Sequence, residues 1–270
     1  LVDLKPSGQH YMEDFHKAGG MRALLRELRP LLHLDVMTIT GRTLGQELDA
    51  APAAFGQDVI RPLARPIYAQ GGIAVLRGNL APGGAIIKQS AASPALMEHE
   101  GRAVVFENLE DMTRRVDDEA LDIGPDDIMV LKQIGPKGAP GMPEAGYMPI
   151  PRKLARAGVK DILRISDGRM SGTAWGTIVL HVTPEAAIGG PLALVRTGDR
   201  IRLSVARREL SLLVDEAELQ RRAADWRAPA PQPGHERGYR KLYLSTVTQA
   251  DQGCDFDFLR HPENTGKTPL

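Results

Sequence analysis

The chain has 270 residues, and its 34 Lys and Arg balance its 34 Asp and Glu, so the formal net charge is zero. This balance disfavours non-specific binding to nucleic acid. No apolar run approaches the ~20 residues that span a bilayer, so we do not expect the chain to be an integral membrane protein. The one cysteine excludes an internal disulfide and cannot by itself hold a zinc ion or an iron–sulfur cluster. Abundant Gly and Pro with few aromatic residues indicate many turns around an aliphatic core.

The first 70 residues have a helical pattern followed by a linker. Residue 1 is Leu rather than Met, and no secretory signal follows it, so we expect a piece of a longer chain. Apolar residues at spacings of three and four predict an amphipathic helix from Met21 that stops or kinks at Pro30. A second short helix is predicted near 44–48. Three prolines between residues 51 and 70 indicate a linker.

From residue 71 the pattern changes to short apolar runs of strand length, most of them bounded by Gly, Pro or Asp. The runs are 73–76, 85–87, 103–106, 128–131, 162–165, 177–182, 193–195, 201–205 and 210–214. Helical stretches are predicted at 109–115, 151–157 and 216–226. Many short strands with few helices predict an α/β domain built mainly as a β-barrel or sandwich with peripheral helices. A second Pro-rich linker spans 229–234, and aromatic residues in the tail to residue 270 indicate that the tail packs against something.

Residues 78–88 contain several glycines followed by Lys88. A phosphate-binding loop needs Gly-Lys-Ser/Thr, but here Ala85 follows the glycines, so we exclude that function. A glycine turn between two strands is the simpler interpretation.

A second glycine-rich segment, GPKGAPGMPEAG at 135–146, follows the predicted strand 128–131. Glu144 is its only carboxylate. A carboxylate held in a rigid loop suits a hard cation such as Mg²⁺, whereas the simpler alternative is a solvated glutamate.

The segment 166–173, SDGRMSGT, places hydroxyl groups, an acid and an arginine in a loop between two predicted strands. Such loops often carry function. Ser171 lacks the flanking glycines of a nucleophile elbow, which disfavours a serine hydrolase. Ser171 can act as a base only if a nearby cation assists it, and otherwise it caps a turn. The seven histidines show no metal-ligand spacing, and Cys254 is interpreted as a lone structural thiol.

Taken together, these motifs resemble the dihydroxy-acid/phosphogluconate dehydratase family. The segments that carry the resemblance are 135–144, 166–173, LAPGGAIIK at 80–88, HVTPEAAIGGP at 181–191, KPSG at 5–8, AGG at 18–20 and TITGRT at 38–43. The resemblance covers essentially the whole chain. The tail segments 238–243 and 253–259 and the context of Ser171 are similar to the sugar-acid branch of the family.

The resemblance implies a lyase that removes water from a 2,3-dihydroxy acid to give a 2-keto acid. In the family an iron–sulfur cluster acts as Lewis acid on the C3 hydroxyl, Mg²⁺ binds the substrate carboxylate, and a serine alkoxide takes the C2 proton. By motif, the serine is Ser171 and one Mg²⁺ ligand is Glu144, with Lys88 and Thr173 as substrate contacts. The resemblance also implies a cytoplasmic homodimer or tetramer.

One departure from the family is decisive, because the cluster cysteines and the remaining Mg²⁺ ligands of the family lie in an N-terminal domain with no counterpart here. The resemblance therefore implies a C-terminal part: residues 1–70 end the N-terminal domain, 71–228 form a swivelling β-barrel domain, and 229–270 form a tail. The cluster, expected to be of the [2Fe–2S] type, would be held by the missing N-terminal domain. We expect the isolated chain to be inactive as a dehydratase.

Two alternatives stay open. One is the dihydroxy-acid dehydratase of branched-chain amino-acid synthesis, and the other is a non-catalytic swivelling domain that binds a small acid or a partner.

Overall fold

The structure is a computed structural model that describes residues 1–51, 56–230 and 233–260. Parts of both predicted linkers and the end of the tail lie outside the described residues. The chain divides into two compact units, Leu1–Gly72 and Ile73–Leu270. In the described ranges, no helix has the length and apolar character needed to cross a membrane.

The first unit is a small helical unit. Its helices are α1 (Met12–Lys17), α2 (Gly20–Glu27) and α3 (Leu44–Asp49). The predicted stop at Pro30 is confirmed, because α2 ends at Glu27 and Pro30 lies in the 3₁₀ turn that follows. The predicted short helix is α3, whose first turn is capped by the Thr43 side chain.

A small apolar cluster stabilises this unit. Ala18, Val59 and Ile60 are buried together, with half-buried apolar side chains around them. The pairing of Val2 with Ile60 joins the start of the unit to this cluster. Residues near position 60, where the sequence indicates a linker, therefore pack into the first unit.

The second unit contains a closed eight-stranded β-barrel, which confirms the predicted fold class. Its strands are β1 (Ala74–Gly78), β2 (Ala81–Ile87), β3 (Glu98–Phe106), β4 (Ile128–Leu131), β5 (Arg164–Ser166), β6 (Ile178–Thr183), β7 (Arg200–Ser204) and β8 (Glu209–Leu212). Around the barrel the order is β1-β2-β6-β5-β4-β3-β7-β8. The run from β3 through β4 and β5 to β6 is parallel, as is the closing pair of β1 with β8, and the other pairs are antiparallel.

Short turns and helices connect the strands. The helices are α4 (Leu109–Arg115), α5 (Arg152–Arg156), α6 (Pro191–Leu194), α7 (Glu216–Asp225) and, in the tail, α8 (Gly238–Thr246). The three predicted helical stretches correspond to α4, α5 and α7. One predicted strand is wrong, because the apolar run 193–195 begins inside α6, with Pro191 in its first turn.

The turn predicted between the first two strands is confirmed in position, since Asn79 and Leu80 connect β1 to β2. The glycines that suggested it lie further on, however, because Gly83 and Gly84 belong to β2 itself. Gly84 has a φ of +118°, a backbone conformation that favours glycine, and the pairing of β2 with β6 shifts register beside it.

Two apolar clusters form the core of this unit. One fills the barrel with aliphatic side chains, including Leu76, Ile128 and Val179. The other joins the opposite side of β3 and β4 to the helices outside, with Phe106 and Met129 fully buried. Alternating side chains on β3 and β4 therefore serve both clusters, which fixes the register of the parallel strands. The loops that follow β4 and β5 start from this rigid sheet.

The tail carries an aromatic cluster in which Phe256 is central. Tyr239 and Tyr243 meet its ring edge-on at centroid distances of 6.4 and 5.9 Å, and Phe258 stacks on it at 5.3 Å. The predicted packing of the tail aromatics is thus partly packing among themselves, although Tyr239 and Phe258 stay more than half exposed.

Candidate functional site

Two loops from neighbouring parallel strands form the candidate site. The first follows β4 and contains Glu144, and the second joins β5 to β6 and contains Ser171. Because β4 and β5 are parallel neighbours, both loops leave the same edge of the barrel. The structure therefore brings together two segments that the sequence separates.

Ser171 and Thr173 are in direct contact. Their hydroxyl oxygens lie 2.9 Å apart, and the Thr173 amide lies 3.4 Å from the Ser171 Oγ. Ser171 is partly exposed and Thr173 is exposed, so a small molecule can reach both hydroxyls. This geometry fits a turn-capping role for Ser171 as well as a role as a catalytic base.

Lys88 joins the same cluster from the end of β2. Its Nζ donates a hydrogen bond of 2.8 Å to the backbone carbonyl of Gly172, between the two hydroxyl residues. This contact places a positive charge on the backbone of the residue that follows Ser171. A serine that acts as a base needs a cation near it.

Arg169 links Glu144 to the serine loop. Its guanidinium lies 2.9 Å from the Glu144 carboxylate, and its Nε donates to the Met142 carbonyl at 2.6 Å. The Gly146 amide in turn donates to the Arg169 carbonyl at 2.8 Å. Three of the four predicted residues, Lys88, Ser171 and Thr173, thus lie together, and Glu144 is connected to them through Arg169.

Two buried carboxylates, Asp167 and Glu185, lie behind these loops, and the sequence analysis assigned no role to either. Asp167 accepts hydrogen bonds from the amides of Ile134 and Ala186 at 2.9 and 2.8 Å. Both carboxylates are 1% exposed. The sequence signal was present, because each acid stands inside a segment that carries the family resemblance, but nothing in the spacing indicates burial.

Burial raises the pKa of Asp167 to about 6, and the nearby Glu185 charge acts in the same direction, against the backbone hydrogen bonds that lower it. The folded chain therefore holds this proton more tightly than the unfolded chain. The contribution of Asp167 to the free energy of unfolding should fall as pH rises from about 4 to about 6, by about 3 kcal/mol at most.

Asp167→Asn should flatten this part of the pH profile of stability. The measurement is the melting temperature of the chain across that pH range, with the exposed Asp126 changed to Asn as the control. Wild type and the control should lose stability relative to Asp167→Asn as pH rises. Parallel profiles for all three proteins would contradict the assignment.

A separate cavity of about 620 Å³ lies between β1, β2, β6 and the tail. Its lining includes Arg77, His181 and Cys254 but none of the four predicted site residues. The His181 Nδ1 is buried without a hydrogen-bond partner, and burial lowers the pKa of this imidazole, with the Arg169 charge adding to the effect. The predicted site residues therefore lie on the open surface formed by the two loops and outside this cavity.

Metal-binding groups are sparse in this unit. Among the described residues no three His, Cys, Asp or Glu side chains lie close enough to hold a metal ion. Burial raises the pKa of the Cys254 thiol, which disfavours the thiolate form that binds iron. Of the four predicted site residues, only Glu144 offers a carboxylate to a metal ion, and its side chain is partly exposed.

Comparison with known proteins agrees with this architecture. The model of the dihydroxy-acid/6-phosphogluconate dehydratase C-terminal domain matches residues 58–254, and the model of the N-terminal domain of the same family matches residues 1–47. The chain belongs to the dihydroxy-acid/6-phosphogluconate dehydratase family. The resemblance inferred from the motifs is thereby confirmed.

Relatives within the dehydratase family carry several names. The chain is 53% identical over 267 residues to an L-arabonate dehydratase of Azospirillum brasilense, covering 96% of this chain and 46% of the relative. It is 50% identical over 274 residues to a 6-deoxy-6-sulfo-D-gluconate dehydratase of Pseudomonas putida, covering 100% and 47%. It is 42% identical over 256 residues to a dihydroxy-acid dehydratase of Syntrophobacter fumaroxidans, covering 94% and 45%. The chain thus spans about half the length of these relatives.

Proposed function

We propose that this chain is the C-terminal part of a dehydratase that converts a 2,3-dihydroxy (aldonic) acid into a 2-keto-3-deoxy acid. The observation that carries the proposal is the Ser171–Thr173 pair beside Lys88, on a loop that Arg169 joins to Glu144. A hydroxyl in a loop that also contains Arg169, with the Lys88 ammonium on the backbone of the next residue, suits removal of a proton next to a carboxylate.

In the proposed reaction Ser171 takes the proton from C2 of the substrate. The positive charges of Lys88 and Arg169 favour the alkoxide that this step needs. Thr173, 2.9 Å from the Ser171 oxygen, orients that oxygen by a hydrogen bond. We assign Lys88 and Thr173 as substrate contacts, because both reach the surface beside Ser171. The C2–H bonding electrons form the C2–C3 double bond as the C3–O bond breaks. The hydroxide from C3 and the proton taken by Ser171 together make up the water that is lost, and the enol tautomerises to the 2-keto acid.

We also propose that Glu144 contributes one ligand to a Mg²⁺ ion, whose charge would hold the substrate carboxylate. Glu144 and Arg169 side chains are 49% and 42% exposed, so their ion pair is weak and a cation can replace the guanidinium. The other Mg²⁺ ligands and the cysteines of an iron–sulfur cluster would come from the part of the relatives that this chain does not span.

The same reasoning sets the proposed domain limits. Residues 1–70 would end the N-terminal domain, 71–228 would form the swivelling barrel domain, and 229–270 would form its tail. The division of the chain into compact units after Gly72 supports the first of these limits. The match to the C-terminal family model, over residues 58–254, extends across both limits. We further propose that the whole protein is a cytoplasmic homodimer or tetramer.

The sugar-acid substrate is favoured over a branched-chain one. Relatives named for sugar acids are 49–53% identical to the chain, whereas relatives named dihydroxy-acid dehydratases are 41–44% identical. The test is a chimaera in which this chain replaces the matching part of the Azospirillum brasilense L-arabonate dehydratase.

The chimaera is assayed for 2-keto acid formation from L-arabonate, from D-gluconate and from 2,3-dihydroxy-3-methylbutanoate. We expect a higher kcat/KM for a sugar acid than for the branched acid. The reverse order would favour the branched-chain alternative. No activity on any of the three, with the unmodified relative active in the same assay, would favour the non-catalytic domain.

A further inference from the structure

Glu185 lies two residues after the end of β6, and its carboxylate contacts the loop that contains Glu144. Both carboxylate oxygens lie 3.0 Å from the Lys137 amide, and Oε2 also accepts from the Gly138 amide at 2.9 Å. A buried carboxylate with amide donors is strongly oriented, since leaving either partner unpaired costs free energy. Glu185 therefore holds the beginning of the 135–146 loop.

Gln249, in the tail, holds Glu185 in turn. Its Nε2 donates to Glu185 Oε1 at 2.7 Å, and its Oε1 accepts from the Glu185 amide at 2.9 Å. These two bonds use both ends of the side-chain amide, so they fix its orientation. Hydrogen bonds therefore connect Gln249 in the tail to Glu185, and Glu185 to the 135–146 loop.

The loop has little freedom to adopt another path at this point. A Cβ atom added to Gly135 would lie 2.6 Å from the Glu185 Oε2, so the backbone passes directly over the carboxylate. A second tail contact lies further along the loop, where the Cys254 Sγ is 3.5 Å from the Met142 Sδ. Glu144 stands two residues beyond Met142 and pairs with Arg169.

We infer that Glu185 and Gln249 are positioning residues for Glu144, and that the tail controls the geometry of the proposed metal-binding loop through them. Neither side chain needs to touch substrate or metal for this role. The structural part of the inference stands on the hydrogen bonds alone, and only its consequence for metal binding and catalysis rests on the proposed function.

The structural part is tested by amide hydrogen–deuterium exchange on the 270-residue chain. Gln249→Ala should increase exchange in peptides that contain Lys137 and Gly138 by about 2- to 10-fold, the effect of losing one hydrogen-bonded support. Gln252→Ala is the matched control, because Gln252 is an exposed tail residue whose side chain accepts from Arg260 instead. Unchanged exchange in Gln249→Ala, or an equal increase in the control, would overturn the inference.

The functional part is tested in the chimaera by swapping the side chains of Glu185 and Gln249, first singly and then together. Glu185→Gln and Gln249→Glu should each lower activity and Mg²⁺ affinity about 10- to 100-fold, as loss of an outer support of a ligand does. In the first variant two amide groups face each other as donors, and in the second two carboxylates do so as acceptors. The double variant restores a donor opposite an acceptor and keeps the net charge.

The double variant should therefore recover most of the activity and most of the metal affinity. The affinity is measured by electron paramagnetic resonance with Mn²⁺, which substitutes for Mg²⁺. No recovery relative to the single variants, with all three proteins folded by circular dichroism, would contradict the positioning role. If the wild-type chimaera were inactive while exchange responded to Gln249→Ala, the proposed function would fail and the structural link would stand.

Discussion

Ser171→Ala should lower kcat of the chimaera by about 10²- to 10⁴-fold and leave KM nearly unchanged, since a general base contributes in the transition state rather than in binding. The substitution removes one partly exposed oxygen atom from a surface loop, so we expect no loss of stability. The measurement is steady-state formation of the 2-keto acid, with the melting temperature recorded for each protein.

Thr173→Val provides the graded comparison for this prediction. It keeps the shape of the side chain and removes the hydroxyl that lies 2.9 Å from the Ser171 oxygen. We expect a loss of about tenfold, the effect of one hydrogen bond. If Ser171→Ala lost no more activity than Thr173→Val, Ser171 would be a turn-capping residue and not the base.

Asp161→Ala should cause the largest loss of stability. Arg164, on β5, is 1% exposed, and its guanidinium lies 2.8 Å from the Asp161 carboxylate. That carboxylate also accepts from the hydroxyl and the amide of Thr177, at the point where the serine loop enters β6. Burial lowers the pKa of Arg164, whereas the Asp161 charge raises it, so the ion pair offsets part of the cost of burying the cation.

Removing Asp161 leaves this buried cation with hydrogen bonds to backbone carbonyls but without its carboxylate partner, which costs about 3–5 kcal/mol. For a unit of this size we expect the melting temperature to fall by about 10 °C. Asp122→Ala is the control, because Asp122 pairs with Arg102 at the surface and its side chain is 87% exposed. Similar melting temperatures for Asp161→Ala and Asp122→Ala would contradict a structural role for the buried pair.

Much of the barrel could be predicted from local pattern. The strand 128–131 is a buried aliphatic run bounded by polar residues, and its sequence limits agree with β4. The helix 109–115 agrees with α4, which the Asn108 side chain caps. These elements were predictable because their limits are set by neighbouring residues.

The wrong strand at 193–195 shows where local pattern fails. A three-residue apolar run has no period, so it fits a buried strand or a buried helix turn equally well. Tertiary packing decides here, since Leu192 and Val195 both point into the barrel cluster. The order of strands around the barrel, with β6 between β2 and β5, also depends on pairings between distant residues.

Part of the candidate site could be predicted from residue type. Ser171 and Glu144 lie in dense polar motifs, so residue type alone drew attention to them. Glu185 could not be assigned, because acidic residues are rarely buried and its amide partners lie 47 and 48 residues away. Only the folded chain shows that a buried acid holds the loop.

The most direct measurement for the proposed function is 2-keto acid formation from L-arabonate by the chimaera, beside the unmodified relative and the Ser171→Ala chimaera. The account predicts activity in the first two proteins and a loss of at least about 100-fold in the third. Equal activity of the chimaera with and without the Ser171 hydroxyl would contradict it.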